Sequence, residues 1–99
     1  MKTEEIELIN GTFSPQEARE VLLTILEDKV RFHNVKIIRG FETGADTAAS
    51  HKRIKELNAS RIKVHEMVDK AIENSTELAI NATISISTSV QTKVGQETN

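Results

Sequence analysis

The sequence contains no cysteine, no tryptophan and no tyrosine, and only one proline among its 99 residues. Without cysteine the chain cannot form a disulfide, use a thiolate as a nucleophile or hold a metal ion through sulfur. A cysteine-free composition also fits a reducing compartment. These absences exclude several classes of enzyme and metal site before any motif is considered.

Aromatic residues are scarce as well, because the three phenylalanines Phe13, Phe32 and Phe41 are the only ones. The core must therefore consist mainly of Ile, Leu, Val and Ala. No apolar run approaches the length of a membrane span, and the acidic start of the chain lacks the apolar region of a signal peptide. We expect one domain in the cytoplasm with no membrane partner. The net charge of -2 predicts no general attraction to nucleic acid or acidic lipid.

The most regular pattern in the chain is an alternation of apolar with polar or small residues near its end. From Leu78 to Ser87 every second residue is apolar. This period predicts a strand with one buried and one solvated face. A shorter alternation over Glu5–Leu8 predicts a second strand, with Ile6 and Leu8 on its inner face.

The segment Ser14-Pro15-Gln16-Glu17 has the features of a helix start. Serine is a favoured N-cap, proline fits the first helical position, and a glutamate three residues after the serine completes a capping box. We expect the helix to end near Ile38, with Gly40 as the left-handed residue beyond its end. The β-branched run from Val35 to Ile38 leaves a short strand as the alternative. The apolar stripe of this helix is Ala18, Val21, Leu22, Ile25 and Leu26, extended by Phe32 and Val35.

A second helix is predicted after a connection over Phe41–Thr47. Asp46 or Thr47 can cap this helix, and Asn74-Ser75-Thr76 ends it. We expect Arg61, the one polar residue of its apolar stripe, either to pair with an acid on the first helix or to lay its stem along the apolar surface. The stripe consists of Ile54, Leu57, Arg61, Val64, Val68 and Ala71, and Ile62, Met67 and Ile72 are expected to widen it.

These elements predict an α+β fold in the order β-α-α-β. Two helices joined by a short loop pack antiparallel, so the strands that flank them also run antiparallel. The predicted architecture is a long antiparallel helical hairpin packed on a small antiparallel sheet. Residues 1–87 form this single domain, and the polar tail over 88–99 is expected to be disordered.

No catalytic, cofactor or metal site is predicted. His51 and His65 lie 14 positions apart on one helix, too far to share a metal ion, and His33 is expected to cap a helix end or lie on the surface. The second helix alternates basic with acidic residues and carries no aromatic residue. This pattern favours a solvated charged face over a nucleic-acid site. The basic residues of that region are Lys52, Arg53, Lys55, Arg61 and Lys63.

Several short strings resemble a group of short bacterial proteins with no assigned function. They are Phe13-Ser14-Pro15 followed by Glu17-Ala18, then Phe32-His33-Asn34, Lys52-Arg53-Ile54, and Ile80-Asn81-Ala82-Thr83-Ile84. The resemblance covers most of the chain except its tail. It implies a small free-standing bacterial protein and transfers no functional residue.

The closing strand supports the leading hypothesis for function. A two-stranded sheet leaves both outer edges unpaired, and this strand carries no Lys, Pro or inward charge that would block pairing with another chain. We therefore expect a non-enzymatic, self-associating module that forms a homodimer, unless flanking residues or the tail cover the edge. The alternatives are a regulator that binds a ligand or nucleic acid through the basic part of the second helix, and an enzyme site formed at a dimer interface. The self-association strand is assigned to Ile80, Ala82, Thr83, Ile84 and Ile86.

Overall fold

The computed structural model describes residues 2–88 and confirms the predicted α+β fold. The chain forms β1 (Thr3–Phe13), α1 (Pro15–Thr43), α2 (Ala48–Asn74) and β2 (Leu78–Ser87). The helices form a hairpin, and the strands form a two-stranded antiparallel sheet. No helix in this part of the chain is long and apolar enough to cross a membrane. The disorder predicted for the tail concerns residues that, apart from Thr88, lie outside this range.

The capping box at the start of α1 is present as predicted. The Oγ atom of Ser14 accepts a hydrogen bond from the backbone N–H of Glu17 at 3.1 Å. In return, the Glu17 carboxylate accepts one from the backbone N–H of Ser14 at 3.0 Å. Pro15 occupies the first helical turn, where its missing N–H costs nothing. This cap fixes the point at which the chain leaves β1 and enters the hairpin.

The predicted end of α1 was wrong, because the helix continues to Thr43 and Gly44 is its C-cap. Gly44 has φ 75°, the left-handed conformation that glycine adopts without steric cost. Gly40 lies inside the helix and is buried, and a Cβ atom at this position would collide with Cγ2 of Thr47. Gly40 thus serves close packing of the hairpin rather than termination. The segment Val35–Ile38 is helical, so the short strand considered as the alternative is excluded.

The predicted apolar stripe of α2 lies along the contact between the two helices. Leu57, Val68 and Ala71 are buried there. Arg61 also follows the prediction, since its guanidinium lies 3.4 Å from the Glu27 carboxylate of α1. Thr47 occupies the N-cap position of α2, but its side chain makes no capping hydrogen bond. The carboxylate of Asp46 instead accepts a hydrogen bond from the N–H of Ala48 at 2.9 Å. The expected widening of the stripe was wrong: Ile62, Met67 and Ile72 are all more than half exposed.

The first strand is longer than predicted and contains a β-bulge. Glu7 is opposite Thr83, but Ile9 is opposite Ala82, so Leu8 has no partner across the sheet. The extra residue shifts the alternation of β1, as bulges do. Ile9, opposite Ala82, therefore occupies the inner-face position that was predicted for Leu8. The pairing of Ile6 with Ile84 is unaffected.

The core of the described residues is thin. Its buried apolar side chains are those of Ala18, Leu57, Val68 and Ala71. Leu78, Ile80 and Ala82 of the sheet are half-buried, whereas the apolar side chains farther along the strands are exposed. The helices therefore cover the end of the sheet around Leu78, the near end, and leave the end around Ile86, the far end, exposed. The large apolar residues that stay exposed are Ile6, Leu8, Phe32, Val35, Ile38, Phe41, Ile62, Met67, Ile72, Ile84 and Ile86.

We predict that Ser14→Ala lowers the free energy of unfolding by about 1 kcal/mol, because the N–H of Glu17 loses its acceptor. Urea denaturation followed by circular dichroism measures this loss. Ser60→Ala is the matched control, since Ser60 lies within α2 and its hydroxyl bonds only a carbonyl of its own helix. Equal unfolding free energies for Ser14→Ala and the parent would contradict the capping role.

Candidate functional site

The outer edge of β2 is the candidate site, because this strand is paired on one side only in the part of the chain that the structure describes. Its neighbour in the sheet is β1. Within residues 2–88, no backbone hydrogen bond joins Leu78–Ser87 to any other element. In an antiparallel strand, successive residues direct their N–H and C=O groups to opposite edges. About half of the backbone groups of β2 therefore face outward, without a partner among the described residues.

The opposite edge of the sheet, on β1, is protected in two ways. Glu4, Glu5 and Glu7 place charges along the strand, and the bulge at Leu8 interrupts its regular alternation. Charges and bulges are devices by which proteins discourage edge-to-edge pairing. The side chains of β2 are apolar, small or neutral, and its residues follow one another without a bulge. The two edges differ, and β2 offers the more regular template.

The structure places the predicted self-association residues on the two faces of β2. Ile80, Ala82, Ile84 and Ile86 alternate along one face, and Thr83 lies on the other. Exposure rises along the apolar face from the half-buried Ile80 to Ile84 at 42% and Ile86 at 53%. Across the sheet, Ile6 is 49% exposed. The candidate site thus combines an unpaired edge with an apolar face that the protomer covers only in part.

The prediction for His33 was wrong, because this residue is neither a helix cap nor on the surface. It is 1% exposed, and its Nδ1 atom lies 3.2 Å from Oγ of Ser50, so α1 and α2 are joined by a buried hydrogen bond. The extension of α1 to Thr43 places His33 along the contact between the helices. Leu26, His33 and Gly40 recur at seven-residue spacing. This repeat was the signal that could have identified a buried histidine.

The surroundings of His33 favour its neutral form. Burial, followed by the charges of Lys29, Lys36 and Arg53, lowers the pKa of His33 below the ordinary 6.5. The ring of Phe32 stands edge-on to the imidazole with centroids 5.2 Å apart. The ammonium groups of Lys29 and Lys36 lie 4.9 and 5.0 Å from the centre of the Phe32 ring. The histidine is therefore surrounded by positive charge from both helices.

A serine hydrogen-bonded to a histidine is also the first pair of a nucleophile–base system. Here Ser50 is itself buried, at 5% exposure, so a substrate has no path to its hydroxyl. The Nε2 atom of His33 is buried and has no hydrogen-bond partner among residues 2–88, so no third group orients the imidazole as a base. The geometry fits a structural contact between helices rather than a catalytic one.

The remaining candidates from the sequence do not converge on one another. His51 and His65 are both exposed, and residues 2–88 contain no cluster of ligands that could hold a metal ion. On α2, Arg53 pairs with Glu56 at 3.1 Å. The structure nevertheless brings Arg53 into the neighbourhood of Lys29 and Lys36 of α1. Sequence reasoning confined to one helix missed this two-helix basic region and its aromatic residue.

Comparisons with protein-family models, curated proteins and solved structures gave no match to this chain. The resemblance to short bacterial proteins stays a prediction.

We predict that the protein loses stability as the pH falls from 7.5 to 5.5. Because the pKa of folded His33 lies below the unfolded value of 6.5, the unfolded state takes up its proton first. The stabilising contribution of neutral His33 is complete above pH 6.5 and declines below it. Urea denaturation across this range should show a shallower pH dependence for His33→Gln than for the parent. His65→Gln is the control, and parallel pH profiles for the parent and His33→Gln would contradict the prediction.

Proposed function

We propose that the protein is a non-enzymatic, self-associating structural or interaction module that forms a homodimer through the outer edge of β2. The observation that carries this proposal is the difference between the two edges of the sheet. The charged, bulged edge of β1 discourages pairing, whereas the regular edge of β2 does not. The expected setting, the cytoplasm of a bacterium, belongs to the proposal and is supported by the cysteine-free composition and the resemblance described above.

The exposed apolar side chains provide a driving force for such an association. Ile6, Ile84 and Ile86 are each about half exposed at the far end of the sheet. Covering the remaining half of an isoleucine stabilises a complex by roughly 1 kcal/mol. A second copy would cover these side chains and also satisfy the outward N–H and C=O groups of β2. A two-stranded ribbon is marginal alone, and a dimer turns it into a four-stranded sheet.

Sedimentation equilibrium of the full chain is the primary test. We expect a mass of twice the 11.0 kDa chain at micromolar concentrations, with dissociation on dilution. A monomer mass that persists to several hundred micromolar would rule out the proposal.

A pair of proline variants tests the role of the edge. Ala82 and Thr83 are adjacent, so one of their amides faces β1 and the other faces outward. We predict that one of Ala82→Pro and Thr83→Pro weakens dimerisation at least tenfold in sedimentation experiments. The other variant should mainly destabilise the fold, because it breaks the ladder to β1. Two variants that dimerise as tightly as the parent would exclude the β2 edge as the interface.

The second candidate function is a regulator that binds nucleic acid or another polyanion through the two-helix basic region. It is favoured by the arrangement of Lys29, Lys36 and Arg53 near the half-exposed Phe32, because aromatic and basic side chains together bind single strands. The pairing of Arg53 with Glu56 and the net charge of -2 weigh against it.

We predict no measurable binding of labelled single-stranded DNA or RNA in fluorescence anisotropy at physiological ionic strength. The opposite result, micromolar affinity that falls steeply with added salt, would make the second candidate the leading one. In that case Lys36→Gln should weaken binding more than Lys63→Gln, because Lys36 lies beside Phe32.

A further inference from the structure

If two copies of the protein meet through the β2 edge, symmetry limits how they can do so. A closed dimer in which both copies use the same surface is isologous and has a two-fold axis. Two β2 strands related in this way run antiparallel. Residue i of one copy is then opposite residue j of the other, with the same sum of i and j along the whole pair. One number therefore defines the register.

The alternation of β2 restricts this number further. Residues directly opposite each other in an antiparallel pair project from the same face of the sheet. The even-numbered positions of β2 from Leu78 to Ile86 are all apolar, whereas the odd-numbered positions are polar except for Ala79. The two apolar faces join into one only if even positions oppose even positions, so a residue must lie opposite its own copy on the axis. An odd sum would place these apolar side chains beside odd-numbered residues, which are polar except for Ala79.

Among the remaining registers, the one centred on Ala82 gives every residue of this apolar face an apolar partner. It sets Ile84 opposite Ile80 of the second copy and Ile86 opposite Leu78 of the second copy. Centring the pair on Asn81 would leave Ile86 opposite Thr76, outside the strand, and centring it on Thr83 would leave Leu78 opposite Thr88. The Ala82 register also places each exposed isoleucine beside a residue that is already half-buried.

A groove lies beside Leu78, at the end of β2 that follows α2. The Ala82 register brings the opposite end of the second copy's β2, around Ile86, to this groove. It has a volume of about 210 Å³ and lies between the end of α2 and the start of β2. Met67, 61% exposed, and the buried Ala71 supply its apolar wall together with Leu78. Ile86 of the second copy, opposite Leu78, would reach this groove.

We propose that β2 pairs with β2 of a second copy with Ala82 on the two-fold axis, so that Ile86 of each copy packs in the groove formed by Met67, Ala71 and Leu78 of the other. This inference rests on the proposed self-association and specifies its register. It accounts together for the exposure of Ile84, Ile86 and Met67.

Because the chain has no cysteine, single cysteine variants of the full protein can test the register without a background reaction. Opposite Cβ atoms in an antiparallel pair lie about 4.5–5.5 Å apart, close to the reach of a disulfide, whereas diagonal neighbours are about 7–8 Å apart. Ala82→Cys should form a disulfide-linked dimer by itself under mild oxidation on a non-reducing gel. Thr83→Cys and Asn81→Cys are the matched controls, and each alone should remain unlinked.

Mixing variants provides the second arm of the test. Ile84→Cys mixed with Ile80→Cys should give a linked dimer that neither variant forms alone, and the same holds for Ile86→Cys with Leu78→Cys. Sedimentation of each sample shows whether it is dimeric before oxidation, which separates failure of the register from failure of self-association.

The outcomes decide between registers and surfaces. Linkage of Ala82→Cys alone, together with the two mixed pairs, supports the proposal. Self-linkage of Thr83→Cys or Asn81→Cys would overturn it in favour of a neighbouring register. A sample that sediments as a dimer but links at none of these positions would also overturn it and would point to another surface, such as the hairpin tip around Phe41, which is 88% exposed. A monomeric parent would refute the proposed function itself.

Discussion

Among residues 2–88, each strand of the sheet has one hydrogen-bonded neighbour, and this constraint determines which surfaces of the molecule stay exposed. The sheet has two outer edges, and only β1 carries the charges and the bulge that protect an edge. The helical hairpin covers the near end of the sheet and leaves Ile6, Ile84 and Ile86 exposed. In the proposed dimer, a second copy of the chain would both cover these residues and pair the outer edge of β2.

The hairpin is held in register by specific polar contacts as well as by its short apolar stripe. The hydrogen bond between His33 and Ser50 is buried, and Gly40 allows α1 to approach Thr47 closely. The ion pair between Arg61 and Glu27 is partly exposed, so its contribution to stability is small. Buried polar groups tolerate few alternative alignments, because each misplaced partner leaves an unsatisfied group. The alignment of the two helices is therefore specific.

Much of the fold could be predicted from local sequence chemistry. The capping box at Ser14, the alternation from Leu78 to Ser87 and the stripe of α2 are short-range signals, and each predicts the element that the structure contains. The end of α1 and the bulge at Leu8 could not be predicted in the same way. A glycine is typical of a helix end, which favoured termination at Gly40. Its actual role in close packing depends on the side chain of Thr47, across the hairpin. The bulge depends on how β1 aligns with a strand that is distant in sequence.

The candidate site shows the same division between local and distant information. The apolar face and the open edge of β2 follow from its own residues, whereas the surroundings of His33 depend on residues of both helices. The most direct test of the account is amide hydrogen exchange of residues 78–87, measured at protein concentrations above and below the dissociation constant of the proposed dimer. We expect every second amide, those facing β1, to be protected at both concentrations, and the intervening amides to be protected only at the higher one. Rapid exchange of the intervening amides at both concentrations would contradict pairing through this edge.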